Sequence, residues 1–145
     1  MIFEPEDLEM HLLVDGFGGD SEKLKSQEFV YKFLDKFPSS IDMNKISGPH
    51  VTTYNGPVEQ DWGVSGFVMI AESHISIHTF PDRSYTNIDI FSCKDFDEEK
   101  ALTLIGEAFN FQQTKQWSVG RGLAYTEPAS DNVSGTSGIS SIIRI

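Results

Sequence analysis

The chain has 145 residues, 22 acidic against 11 basic side chains, a net charge of −11 with histidine neutral, and a single cysteine. That length is typical of one domain, and an acid excess of this size excludes nucleic acid as the main partner and offers no polybasic segment to anionic lipid. No apolar run approaches the roughly 20 residues that span a bilayer, and the first residues, Met1 to Asp7, lack the basic start and apolar core of a signal peptide. With only Cys93 present no internal disulfide can form, and the features together give the expectation of a soluble cytoplasmic protein.

In chain order, residues 9–16 form a short apolar strand that ends at Gly16, and Phe17-Gly18-Gly19-Asp20 is a turn. Ser21 is a suitable N-cap for a helix over 21–37, where Leu24, Phe29, Val30, Phe33, Leu34 and Phe37 recur at helical spacing. Pro38-Ser39-Ser40 is expected to stop it. Residues 41–49 read as irregular, with a turn at Ser47-Gly48-Pro49, and 50–54 as a β-rich piece closed by Asn55-Gly56-Pro57. Residues 63–71 and 74–80 are strands separated only by Glu72-Ser73, which makes them either a very tight hairpin or one interrupted strand. Residues 85–93 alternate again. Asp95 or Asp97 can cap a helix over 97–111, whose first turn is acidic, and 117–125 is a last strand. After Pro128 the composition turns to Ser, Gly, Thr and Asn, as in a flexible tail or surface loop, although the closing Ile142-Ile143-Arg144-Ile145 can dock as a short strand.

The order β-α-β-β-β-β-α-β with short turns predicts an α+β fold, a two-layer sandwich of a mostly antiparallel sheet with two helices on one face. The other face then needs a cover, and a symmetric dimer packed sheet to sheet or edge to edge supplies one. The domain is assigned to residues 1–127 and the Ser/Gly-rich tail to 128–145.

The chemistry concentrates in Ala71-Glu72-Ser73-His74-Ile75-Ser76-Ile77-His78-Thr79-Phe80-Pro81 and in Cys93. From Ser73 the pattern has period two, with His74, Ser76 and His78 on one face and Ile75 and Ile77 on the other, which is a half-buried strand. Ser73, at the strand edge beside imidazoles, is a candidate nucleophile with candidate proton carriers.

Three stretches, Gly63-Val64-Ser65-Gly66, the block from Ala71 to Pro81 and Asp89-Ile90-Phe91-Ser92-Cys93, resemble the bacterial and archaeal S-adenosylmethionine decarboxylases. His11-Leu12-Leu13-Val14-Asp15 is similar to that family's first strand, and the similarity covers roughly residues 9 to 125. The resemblance implies a proenzyme that cuts its own backbone between Glu72 and Ser73 and leaves a pyruvoyl group made from Ser73, with no metal and no diffusible cofactor. It implies that His78 assists the elimination, that Ser65 stabilises the ester or oxazolidine intermediate, and that Cys93 donates the proton after the substrate, held as a Schiff base, loses CO₂. Phe80 and Asp82 fall where the family usually carries Trp and Glu of a Trp-Pro-Glu sequence, near the nucleoside; Glu72 is a further substrate-side candidate. A homodimer of cleaved protomers, with active sites near its interface, is implied as well.

Each of these residues has a plainer reading alone: Cys93 a small buried hydrophobe, His74 and His78 satisfied polar residues, Ser73 a turn residue. His74, His78 and Cys93 as zinc ligands is a weak pattern without a fourth ligand. Two functional alternatives remain open at this point: the same chemistry on arginine or ornithine, and an uncleaved, inactive homologue that regulates a partner.

Overall fold

The alternating stretches become the strands of one sheet. The structure, a computed structural model, describes residues 9–121 and the segment Ile143–Arg144. Its strands are β1 (Glu9–Phe17), β2 (Lys45–Tyr54), β3 (Gly63–Ile70), β4 (Ser73–Phe80), β5 (Tyr85–Ser92), β6 (Gln113–Arg121) and the two-residue β7 (Ile143–Arg144). They are ordered β2-β3-β4-β5-β1-β6-β7, and every pairing is antiparallel. The helices are α1 (Ser21–Lys25), α2 (Gln27–Ser40) and α3 (Glu98–Phe109).

The layers follow from alternation. Leu12 and Val14 of β1, Val64 and Val68 of β3, Ile75 and Ile77 of β4, and Ile88 and Ile90 of β5 are fully buried. They form one cluster with Val30, Phe33, Leu34 and Phe37 of α2 and Ala101, Ile105 and Phe109 of α3. The alternate residues of the same strands occupy the other face, where Phe67 and Met69 remain 43% and 44% exposed. This is the expected two-layer α+β fold.

Two polar contacts lock the layers. The Thr79 hydroxyl, buried in β4, donates to the Leu24 carbonyl of α1 (2.8 Å) and accepts from the Val64 N–H of β3 (2.9 Å). The Ser118 hydroxyl of β6 donates to Glu98 at the start of α3 (2.6 Å).

Several boundaries differ from the sequence reading. The helix expected over 21–37 is two helices. Asp20, not Ser21, caps the first by accepting from the Glu22 and Lys23 N–H groups, and Ser26 ends it and caps the second by accepting from Phe29. Pro38 does not stop α2, which runs to Ser40. The turn expected at Ser47-Gly48-Pro49 is a bulge inside β2, where the pairing with β3 shifts between Ser47 and His50 and Gly48 takes φ +89°. β6 begins at Gln113, four residues before the expected Trp117, because it pairs with β1 from Phe17 onward. Most of the tail expected after Pro128 lies outside the described residues; its end, Ile143–Arg144, pairs with Ser118 and Val119. Among the described residues no helix is long and apolar enough to cross a membrane.

Candidate active site

Gly63-Val64-Ser65-Gly66 opens β3 and needs its first glycine for packing. A Cβ on Gly63 would lie 1.8 Å from the Thr79 carbonyl oxygen of β4, so only glycine allows the two strands to pair here. That pairing sets Ser65 opposite His78. Their side chains meet: Ser65 Oγ and His78 Nδ1 are 2.8 Å apart, with the donor set by the imidazole tautomer. The pair lines an open cleft of about 620 Å³ together with Phe67, Ser76 and His50.

β3 and β4 form a tight hairpin through Ala71 and Glu72, and Ser73 is the first residue of β4. Ser73 has φ +157°, near the extended limit, and stands between Ile70 of β3 and Ser92 of β5. The bond before it is held from two sides. The Cys93 N–H donates to the Glu72 carbonyl oxygen at 2.9 Å. The Glu72 carboxylate, 9% exposed, accepts from the Asn44 N–H (3.0 Å) and from Asn44 Nδ2 (3.3 Å). Burial pushes this carboxyl up, but the Asn44 hydrogen bonds, with the residue's own N–H and the Lys94 charge, together outweigh it and hold Glu72 below the usual carboxylate range. The Cys93 side chain is exposed.

The chain therefore carries two clusters. Glu72, Ser73 and Cys93 share one end of the hairpin; Ser65 and His78 share the other. His78 lies five residues from Ser73 along one extended strand, about 16 Å at 3.3 Å per residue. Within one chain the structure joins His78 to Ser65 and Cys93 to Glu72, and does not join His78 to Ser73.

Phe80 and Asp82 follow His78. Phe80 stacks on Tyr85 with ring centroids 5.7 Å apart. One Asp82 oxygen accepts from Trp62 Nε1 at 2.8 Å, and Arg83 binds Asp61 through two nitrogens (3.0 and 2.8 Å), so the loop before β3 is fastened to the turn after β4. His74 packs on Phe91 (5.4 Å) apart from His78 and Cys93. Among the described residues no three His, Cys, Asp or Glu side chains converge as a metal would require.

Sequence reasoning missed Asn44, which sits 28 positions before its partner in a segment read as irregular. No local pattern marks such a contact. It also missed the Cys93 N–H, since attention to Cys93 falls on its thiol.

A single antiparallel sheet, with helices on one face and an opposite face that bears hydroxyls and imidazoles beside Phe67 and Met69, places the protein among two-layer α+β proteins. A family model described as S-adenosylmethionine decarboxylase matches residues 10–122, and the chain belongs to that family. It is 34% identical over 113 residues to a protein named S-adenosylmethionine decarboxylase proenzyme from Clostridium botulinum strain Langeland, covering 77% of this chain and 92% of that one. Proteins of the same name from Anoxybacillus flavithermus (32% over 117 residues, 81% and 90% covered) and Archaeoglobus fulgidus (32% over 113 residues, 77% and 96%) are similarly related. The crystal structure of the adenosylmethionine decarboxylase from Aquifex aeolicus superposes with a TM-score of 0.66 at 29% identity, over 81% of this chain and 92% of the other.

Proposed function

We propose that this chain is a self-processing S-adenosylmethionine decarboxylase that supplies decarboxylated S-adenosylmethionine to spermidine synthesis. The observation that carries the reading is the carbonyl of Glu72, fixed by the Cys93 N–H immediately before Ser73, in a chain of this family.

The Ser73 hydroxyl attacks that carbonyl carbon. The C–N bond breaks, the hydroxyl proton passes to the freed amine, and an ester replaces the amide. The oxygen that gains charge during the attack is the one the Cys93 N–H already binds, the arrangement of an oxyanion hole. Loss of the Ser73 α-proton then breaks the Cβ–O bond and expels the main-chain carboxylate of Glu72, the new C-terminus of the first fragment, leaving the side-chain carboxylate untouched. Water replaces the nitrogen of the resulting enamine or imine, and ammonia leaves. The products are residues 1–72 and a 73–145 chain that begins with a pyruvoyl group.

That group supplies an electron sink for the charge left when the substrate loses CO₂. The site suits it: residue 73 heads an inner strand beside the exposed Cys93, whose thiol returns a proton to the α-carbon. No metal enters the scheme. Phe80 offers a ring for adenine, and Asp82, with one oxygen bound to Trp62, keeps the other for ribose hydroxyls. Glu72 is committed to Asn44, so its part in substrate binding is the lesser one.

His78 and Ser65 complete the site from a second copy. Their distance from Ser73 within one chain, and the exposed apolar residues Phe67 and Met69 on the uncovered sheet face, support a two-fold dimer of cleaved protomers packed by these faces. In it, His78 and Ser65 of the partner subunit serve the Ser73 of the first chain, with His78 moving the α-proton in the elimination and Ser65 bonding the ester or its cyclic precursor. The working domain is residues 1–127, with 128–145 as its tail, acting in the cytoplasm.

Intact mass under denaturing conditions tests the reading. Two fragments broken after Glu72, the second short of one ammonia, together with CO₂ release from S-adenosylmethionine and not from arginine or ornithine, are expected. An uncut chain that releases no CO₂ overturns it in favour of a regulatory homologue; release from arginine or ornithine alone overturns the substrate.

A further inference from the structure

We propose that Asn44 is a positioning residue for self-cleavage: it clamps the Glu72 side chain and thereby fixes the Glu72 carbonyl against the Cys93 N–H for attack by the serine hydroxyl. This rests on the cleavage reading above.

Asn44 lies between the end of α2 and the start of β2, outside both, and makes three contacts with the Ala71–Glu72 turn. Its N–H and Nδ2 donate to the two Glu72 carboxylate oxygens, and its carbonyl accepts from the Ala71 N–H at 2.7 Å. A buried carboxylate is tolerated only when its oxygens are satisfied; among the described residues Asn44 supplies two of these bonds, and the N–H of Glu72 itself contributes beside them. Ala71 itself is exposed, so at that residue the turn is anchored by its hydrogen bond to Asn44.

The reacting carbonyl and the clamped carboxylate belong to one residue. Asn44 restrains Glu72 on the side-chain branch while the Cys93 N–H takes the carbonyl branch, and the residue is held at both. Misplacement of a reacting carbonyl by a fraction of an ångström is costly in rate, because neither the attack line nor the donor distance then fits. Lys94 acts on Glu72 through space while its Nζ donates to the Asp42 carbonyl (2.7 Å). Glu72 is ionised at neutral pH, so the amide donors of Asn44 meet an anion, the stronger kind of hydrogen bond.

The test follows the fraction of full chain cut with time after cell-free synthesis, by intact mass, for wild type, Asn44→Ala and Asn44→Asp. At pH 7.5 the expected rate for Asn44→Ala is at least about tenfold below wild type, the loss of hydrogen bonds to a charged group. Asn44→Asp sets two carboxylates against each other and is slower still. Its rate relative to wild type recovers as the pH is lowered toward 5, because a close carboxyl pair takes up one proton there and the protonated oxygen donates as Nδ2 does. A purely structural role lowers the melting temperature of both variants but leaves that ratio independent of pH. Variants that cut at the wild-type rate, or a flat ratio for Asn44→Asp, overturn the role of Asn44 while cleavage itself stands. A wild-type chain that never cuts overturns the cleavage reading and this proposal with it.

Discussion

Ser65 Oγ and His78 Nδ1 lie 2.8 Å apart across the β3–β4 ladder, at the end of the hairpin opposite Ser73. The proposed dimer offers this pair to the Ser73 of another copy. Co-expression of Ser73→Ala with His78→Ala chains checks this. Each mixed dimer holds one intact combination, so about half of the His78→Ala chains are expected to be cut when partners pair at random. No cutting of either chain in the mixture contradicts a shared site. Mass spectrometry distinguishes the two chains.

Ser73→Ala removes the attacking hydroxyl. The expected product is a full-length chain without decarboxylase activity, seen by intact mass and CO₂ release. Activity in an uncut Ser73→Ala protein would falsify the proposed mechanism.

Cys93→Ala separates the two reactions. The backbone N–H that binds the Glu72 carbonyl is retained and the thiol is lost, so cleavage is expected to fall less than decarboxylation. An equal, full turnover rate removes the thiol from the chemistry. Cleavage time courses and turnover of the cut protein give the two numbers.

Gly63→Ala forces a Cβ toward the Thr79 carbonyl, 1.8 Å away in the present backbone. The strands must separate, at a cost of about 1–3 kcal/mol by the usual scale of overpacking. Because Ser65 and His78 face each other two and one residues from this contact, the variant is expected to cut slowly as well as melt earlier. Thermal melting alongside the time course checks both.

Glu72 carries a pH signature. Burial raises its pKa, but the Asn44 hydrogen bonds, with the residue's own N–H and the Lys94 charge, together win and leave it below the unfolded value. A carboxyl depressed on folding stabilises above its unfolded pKa, and that contribution disappears as the pH falls through the folded value. Compared in a Ser73→Ala background, where every chain is uncut, Glu72→Ala is expected to melt lower at pH 7 and to converge with its parent as the pH falls below the ordinary carboxylate range. A gap that persists at low pH assigns the effect to packing instead.

The strands were the readable part of this chain. β4 and β5 alternate so strictly that Ile75, Ile77, Ile88 and Ile90 are buried as the period demands. The break at Ser26 was not readable, because Leu24 and Phe29 keep a helical beat across it while the break depends on a cap. The true start of β2 was hidden by Gly48-Pro49, a pair that marks turns in most settings and here sits in a bulge. β6 starts among polar residues, Gln113 to Gln116, because pairing with β1 decides its extent more than burial does. In the site, Ser73 and the imidazoles beside it stood out by type, while Ser65 and Cys93 stood out only through the family resemblance. Their division into two clusters was latent in the five-residue interval between Ser73 and His78 along one extended strand, and Asn44 could be seen only in three dimensions.

The strand order has one more consequence. A cut before Ser73 leaves β1, β2 and β3 on the first fragment and β4, β5, β6 and β7 on the second. In the sheet, however, β1 is threaded between β5 and β6, and β3 lies against β4. Three ladders thus join the halves, and one strand of the first is enclosed by two of the second. A molecule cut there is an interlaced two-chain complex that no longer owes its connectivity to a peptide bond. Once melted, it must reassemble by encounter of separate chains, so recovery of the cut protein depends on concentration while that of the uncut Ser73→Ala chain, apart from dimer formation, does not.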